Sequence, residues 1–530
     1  MMLKRRDFAF LTAVSPLAFA ARAAHASTPK ETAVVAIDIS GIITLDPGEC
    51  YETIGGEVII GVYDSLLRYE PDDVTKIIGG TAETWSATED GKNYTFKIRP
   101  GMKFESGAPV TAGDIAWSMQ RGVILGKTPA FLLEQFGWTK DNVKDLITAP
   151  DPGTLEFKIV KDYAPSLVYN VMTTGITSAV EKKVAMANEA NGDMGNSWLK
   201  THSAGSGAFR LISWKAEESV TIEANPNFHL GAPLIKRVVL RHVPEPSSQR
   251  LLLEKGDVDL ARDLTADQIK PLASNKAIKV ESYPGAETWF MAMNVSEEHF
   301  KSPKVRQAMK MLVDYDGMAN TFLKGRFTVQ QTFWPLGLFA AISYNPWKLD
   351  LARAKALLAE AGYPNGFEVN LSVSTAAPNP DIAQAMQQTM AQAGVKLNIT
   401  IADPKQVVTA YRARKHQMVL ISWSPDYFDP HSNADSFSHN DDNSDGAKAH
   451  PLLWRNEYYD PDLNTMMAAA AKELNADKRK AAYAALLKKV TDEGPFILMF
   501  QNTFQAAFRD NVKGYLSSVD YDNYRKVTKS

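Results

Sequence analysis

Between Asp350 and Trp423 the chain alternates helix-period and strand-period segments, and that order marks an α/β lobe. Leu351, Ala354, Leu357, Leu358 and Ala361 share one helical face behind Asp350; Gly362 can end that helix and Pro364 blocks its continuation. Phe367, Val369, Leu371 and Val373 then alternate as a strand. A helix is expected from about Asp381 to Gly394, and Val395, Leu397, Ile399 and Ile401 alternate as the next strand. "MVLISW" is a short apolar run that suits a buried strand. Upstream, Val305, Ala308, Met309 and Leu312 form another helical stripe, with Ser302 placed to cap it and Pro303 in its first turn. The first half of the chain reads differently. "YTFKIRPGMKF", "DPGTLEFKIV" and "FRLISWKAEESVTIEAN" alternate apolar and polar residues beside turn signals, as three hairpin-like units of antiparallel sheet with one wet face.

The N-terminus carries a different signal. Lys4, Arg5 and Arg6 precede an apolar run from Phe8 to Ala21, and Ala24 and Ala26 flank His25 in an A-x-A cleavage pattern. The Arg5-Arg6 pair followed by Phe8 points to the twin-arginine form of an export signal, with cleavage after Ala26. The run is shorter than the roughly 20 residues that a spanning helix needs. Removing residues 1–26 from the 530 leaves roughly 500 residues, more than one core usually supports, so two or three domains are expected. Cys50 is the single cysteine, which rules out an intrachain disulfide and a thiolate metal cluster. The net charge of −3 becomes more acidic once the basic signal is removed, which argues against a nucleic-acid partner.

"SWSPDYFDPHSNADSF", residues 422–437, begins at the C-terminal end of the "MVLISW" strand, where open α/β sheets tend to bind ligands. Three chemistries compete for it. Asp426, Asp429, His431, Asp435, His439, Asp441, Asp442, Asp445 and His450 are all metal-compatible, but neither a calcium-loop pattern nor H-E-x-x-H spacing is present. Asp426 and Asp429 lie three residues apart, which gives little support to carboxylate hydrolysis, and no nucleophile elbow occurs: Gly205-Ser206-Gly207 has the wrong spacing. The third reading is a clamp for a ligand ammonium, with a carboxylate beside an aromatic wall. On composition alone it stands level with a core Trp423 and an Asp426 that merely starts a turn.

Blocks along the whole chain resemble the family-5 extracellular solute-binding proteins, the dipeptide- and oligopeptide-binding components of ABC importers. They run in order: "ITLDP", "VYDSLLRYEPD", "AETWSATEDGKNYTFKIRPGMKFESGAPVTAGDIAWSMQR", "GSGAFRLISWKAEESVTIEANPNFHLGAP", "LLEKGDVDLARDL", "MNVSEEHFKSPKVRQAMKMLVD", "DLARAKALLAEAGYPNGFEVNL" and "SWSPDYFDP". The resemblance implies an α/β, two-lobed periplasmic-binding-protein fold (type II, cluster C) with an extra inserted domain. Carried over, lobe I takes residues 27–62, 200–285 and 501–530, the inserted domain 63–199, and lobe II 286–500. It also implies that Asp426 holds a ligand α-amino group near Trp423, with Tyr51, Thr53, Trp289 and Phe290 lining the pocket and Trp334 and Phe131 as further candidates. Asp429 is expected in the loop beyond the pocket, where replacing it costs little. Peptide-binding relatives can carry an arginine in the strand before the tryptophan; Leu420 stands there in this chain, which leaves peptide and non-peptide solutes both open.

The expectation is therefore a monomeric, non-catalytic periplasmic receptor without cofactor or metal. It would capture a peptide or another amine-bearing solute and deliver it to the permease and ATPase complex of an inner-membrane ABC importer. A metal-chelate carrier using His431 or His439, or an opine- or sugar-type carrier, is the alternative on the same fold. A secreted hydrolase is the alternative from another class.

Overall fold

The computed structural model describes residues 28–516 and 524–530. Residues 1–26, read as an export signal, lie outside the described residues. Among the described residues, no helix is long and apolar enough to cross a membrane.

An 11-stranded mixed sheet organises the molecule. At one end Glu368–Ser374 lies parallel to both Lys396–Ala402 and Met418–Trp423, each connection passing through a helix, as the alternating pattern predicts. The helices fall at Leu351–Glu360 and Asn379–Ala391, and the Asp350 side chain caps the first by accepting from the Arg353 N–H. The stripe at Val305 forms the helix Pro303–Met311; Ser302 precedes it but makes no side-chain capping bond, so Pro303 alone shapes its start. At the other end of the sheet, Thr32–Ile37 runs parallel to Arg237–His242, and the hairpin Phe209–Lys215 with Ser219–Ala224 completes the edge.

Two long antiparallel strands, Ile278–Met293 and Phe496–Arg509, join these ends. Each runs through both halves of the molecule. Ile278 and Ala507 pack in a core with Leu253, Leu264 and Leu272, whereas Met291 and Met499 pack in another with Val305, Leu371 and Met386. Their ladder breaks between Pro284 and Thr288. Gly285 sits in that break because nothing larger fits: a Cβ there would come within 2.0 Å of Asn502 Oδ1. Backbone that leaves its ladder at a shared crossing is where relative motion of two halves is absorbed.

A third body is built on a four-stranded antiparallel sheet, Ala82–Ala87, Asn93–Ile98, Thr154–Lys158 and Ile147–Asp151. The first two units read as separate hairpins are thus one sheet. Asn93–Ile98 pairs directly with Thr154–Lys158, so Tyr94 meets Phe157 and Phe96 meets Leu155. The helix Ala112–Leu125 covers this sheet. Thr111 and Asp114 close a capping box at its start, and Gly126 ends it in the left-handed region. Arg121 on this helix forms a buried two-bonded pair with Asp46, at 2.8 and 2.6 Å, which ties the body to the N-terminal half of the large sheet.

Candidate functional site

A cavity of about 470 Å³ lies where all three bodies meet. That volume falls in the range that holds small organic ligands, roughly 300–1,000 Å³. Tyr51 and Thr53 line it from the start of the helix Thr53–Val62, Leu132 and Thr174 from the smaller body, Ala286 and Glu287 from the crossing strands, and Ser424 to Phe428 from the loop after Met418–Trp423. The stretch "SWSPDYFDP" thus occupies the carboxyl end of a sheet strand and faces the space.

Asp426 is at the centre of this loop. Its own N–H donates to Ser432 Oγ at 2.8 Å, which fixes the backbone. Its Oδ1 accepts from the Tyr51 hydroxyl at 2.5 Å, a contact that spans the cleft from one end of the large sheet to the other. Burial pushes the Asp426 carboxyl up to about 6; the Tyr51 hydrogen bond pulls the other way, and the charge of Asp435 adds to the rise. Tyr51 in turn meets Phe131 edge-on, ring centroids 5.7 Å apart, so Phe131 supports the wall through Tyr51.

The flanking residues hold the loop. Tyr427 is buried within the core of the smaller body, and its hydroxyl donates to Gln135 Oε1 at 3.3 Å. Phe428 stacks on Tyr69 at 4.8 Å, and its N–H donates to the Tyr69 hydroxyl, which donates to Asn170 Oδ1 at 2.7 Å. Asp429 is fully buried and receives two hydrogen bonds from Arg479, at 2.6 and 2.7 Å. Arg479 also donates to Ser166 Oγ at 3.2 Å. Asp429 is therefore no solvated loop residue beyond the pocket. It anchors the loop, and the sequence hid this because its partner is fifty positions away.

The other aromatic candidates sit elsewhere. Trp289 and Phe290 are neighbours on a strand covered on both faces, so they point into different cores. Trp289 packs edge-on to Phe327 at 5.3 Å, and Phe290 packs against Phe437 and Phe496. Trp334 is fully buried, its indole N–H donating to the Phe339 carbonyl at 2.8 Å. These three are core residues, and none is among the residues that line the cavity, where the resemblance implied them. Trp423 stands beside the loop, edge-on to Phe437 at 6.5 Å with the Arg455 guanidinium 5.9 Å from its ring centre, and is not among the lining residues. His431 and His439 are also off the lining. His431 is buried against Tyr163, and His439 bonds Asp435 at 2.9 Å. Among the described residues no group of three or more His, Cys, Asp or Glu stands close enough to hold a metal ion. Glu287, which lines the cavity, was not singled out from the sequence; an acid inside the apolar run "GAETWFMAM", next to a Pro-Gly break, is the signal that marks it.

The family model for bacterial extracellular solute-binding proteins, family 5, matches residues 76–445. The chain belongs to this family. Among curated relatives, the probable D,D-dipeptide-binding periplasmic protein DdpA of Escherichia coli is 28% identical over 507 residues, covering 93% of each chain. The glutathione-binding protein GsiB of Salmonella typhimurium is 26% identical over 504 residues, again covering 93% of each. Among solved structures, the ABC transporter-associated periplasmic binding protein DppA of Helicobacter pylori, in complex with the peptide STSA, superposes with a TM-score of 0.78 at 21% identity, covering 94% of this chain and 98% of that one. That likeness gives the fold its name: the two-lobed type II fold of the family-5 solute-binding proteins, whose lobes meet at the crossing strands and enclose the cavity.

An ammonium pairs with Asp426 only when the carboxyl is ionised. With burial pushing that carboxyl up to about 6 in the closed form, affinity for an amine-bearing solute is expected to hold between pH 8 and 7 and to fall below about 6. The slope approaches tenfold per pH unit, because each binding event must then release one proton. Titrations at pH 7.5, 6 and 5 check this. A flat profile contradicts it, and Asp426→Asn removes the dependence that this group contributes.

Proposed function

We propose that this family-5 solute-binding protein is the periplasmic receptor of an ABC importer, taking a peptide or another amine-bearing solute between its lobes and presenting the closed form to the inner-membrane permease and ATPase. The observation that carries the reading is Asp426, a carboxylate facing a cavity of ligand size with only the neutral Tyr51 hydroxyl across the cleft. In the closed form that hydroxyl satisfies the carboxylate; a solute ammonium would supply a charge-assisted bond in its place. The names of DdpA and GsiB point the same way, since both refer to solutes built from amino acids. Export through the twin-arginine route and cleavage after Ala26 complete the proposal.

Closure is the consequence open to direct test. Tyr51, Tyr69, Tyr427 and Phe428 make contacts across the cleft that an open form must break. Solute that touches both lobes shifts the population toward the closed form. Solution scattering of protein stripped of solute is expected to give a larger radius of gyration than the same protein with its solute restored. An unchanged radius on saturation contradicts capture by closure.

A further inference from the structure

Asp426 shares its cavity with a second carboxylate. Glu287 lines the same space from the crossing strands, one residue short of the point where the broken ladder resumes. Its backbone N–H donates to Asn502 Oδ1 at 3.0 Å. Its Oε1 accepts from Ser422 Oγ at 2.6 Å, and its Oε2 takes a long contact from Asn502 Nδ2 at 3.4 Å. These donors are neutral. They orient the carboxylate without cancelling its charge. Burial raises its pKa, and Arg326, the cation whose field reaches it, does not line the cavity. Among the described residues of the lining there is no lysine, arginine or histidine. Two acids thus face a space that offers no side-chain cation to a ligand anion, and burying uncompensated charge is costly.

The two acids lie close along the chain path as well: Ser422, which holds Glu287, stands four residues before Asp426, at the end of the strand that leads into the same loop. We propose that Glu287 forms a second anionic subsite, so that the preferred solute is a small organic dication: one ammonium at Asp426 and a second cationic centre at Glu287. A short diamine has this chemistry, and a dipeptide with a basic side chain carries the same two cationic centres together with a carboxylate. The inference rests on the amine reading of Asp426 and adds to it the charge of the rest of the solute.

Matched probes separate the two. Protein freed of solute by denaturation and refolding is mixed with equal amounts of glycyl-lysine and glycyl-norleucine, and separately of 1,5-diaminopentane and pentylamine; retained molecules are then quantified by mass spectrometry. Each pair differs in one ammonium. The member of each pair with two ammonium groups is expected to be enriched about tenfold or more, the least that a close charge pair delivers. Glu287→Gln keeps the shape and the acceptor for Ser422, and it should bring the ratio to about one while the monocation is still retained, which shows that the variant folds. Asp426→Asn should reduce retention of both members. Equal retention by the native protein, or enrichment that survives Glu287→Gln, overturns the second subsite. Undiminished retention in Asp426→Asn overturns the amine reading and the dication with it.

Discussion

Replacing Asp429 with asparagine is expected to destabilise the fold by about 3–5 kcal/mol, the usual cost of breaking a buried ion pair by removing one partner. Asp429 and Arg479 are both almost wholly enclosed, 0% and 1% exposed. Burial works against the Arg479 charge, yet the Asp429 charge and its two hydrogen bonds outweigh that and raise the arginine's pKa further. Asparagine offers a single neutral acceptor in place of two charged ones. Arg479 cannot lose its proton to escape, so the variant carries an uncompensated buried cation. The damage reaches the site as well. The same carboxylate accepts the His431 N–H at 3.0 Å and so shapes the turn that follows Asp426. Denaturant unfolding of Asp429→Asn should show the loss. Removing both charges, as Asp429→Leu with Arg479→Met, should recover most of it, because an apolar pair of similar volume carries no desolvation cost. A single variant within about 0.5 kcal/mol of the native protein, the range of ordinary surface changes, contradicts this role.

Local patterning made the second half of the chain legible. The alternation of Phe367, Val369, Leu371 and Val373 and the run "MVLISW" become neighbouring parallel strands. A period of two records which residues face the core, and the chain need not look far to satisfy it. Asp426 follows the carboxyl end of a strand, where an open sheet leaves room, and it does line the cavity; its reading as an amine clamp came from the resemblance. What local sequence cannot report is the partner across the fold. Asp429 reads as a turn former until Arg479 is brought beside it. The resemblance placed Trp289 and Phe290 at the pocket, and aromatic rings suit both ligands and cores. Only the covering of both sheet faces decides, with Trp289 on the side of Met291 and Phe290 on the side of Ala292. Glu287 was missed by the same logic. A single acid in an apolar strand has no periodic signature, and its meaning comes from the ladder break at Pro284 and from Asn502 on the opposite strand.

Replacing Asp426 with asparagine is expected to weaken solute binding by thirtyfold or more, with little change in fold. The side chain keeps its shape, the backbone bond to Ser432 is untouched, and the Tyr51 hydroxyl can still donate to an amide oxygen. Stability should even rise slightly in solute-free protein, because a carboxylate pushed up to about 6 is one that burial disfavours at neutral pH. Binding is different. An amine-bearing solute held at Asp426 would lose its anionic partner on this loop. Truncating one side of a buried, hydrogen-bonded charge pair costs roughly 2–5 kcal/mol, and about 1.4 kcal/mol is tenfold in affinity. The test is calorimetric titration of native protein and Asp426→Asn at pH 7.5 with the solute released from the native protein on denaturation. The account predicts a solute with a protonated amine, bound at least thirtyfold more weakly by the variant. Equal affinities, or a released solute with no cationic centre, would contradict it.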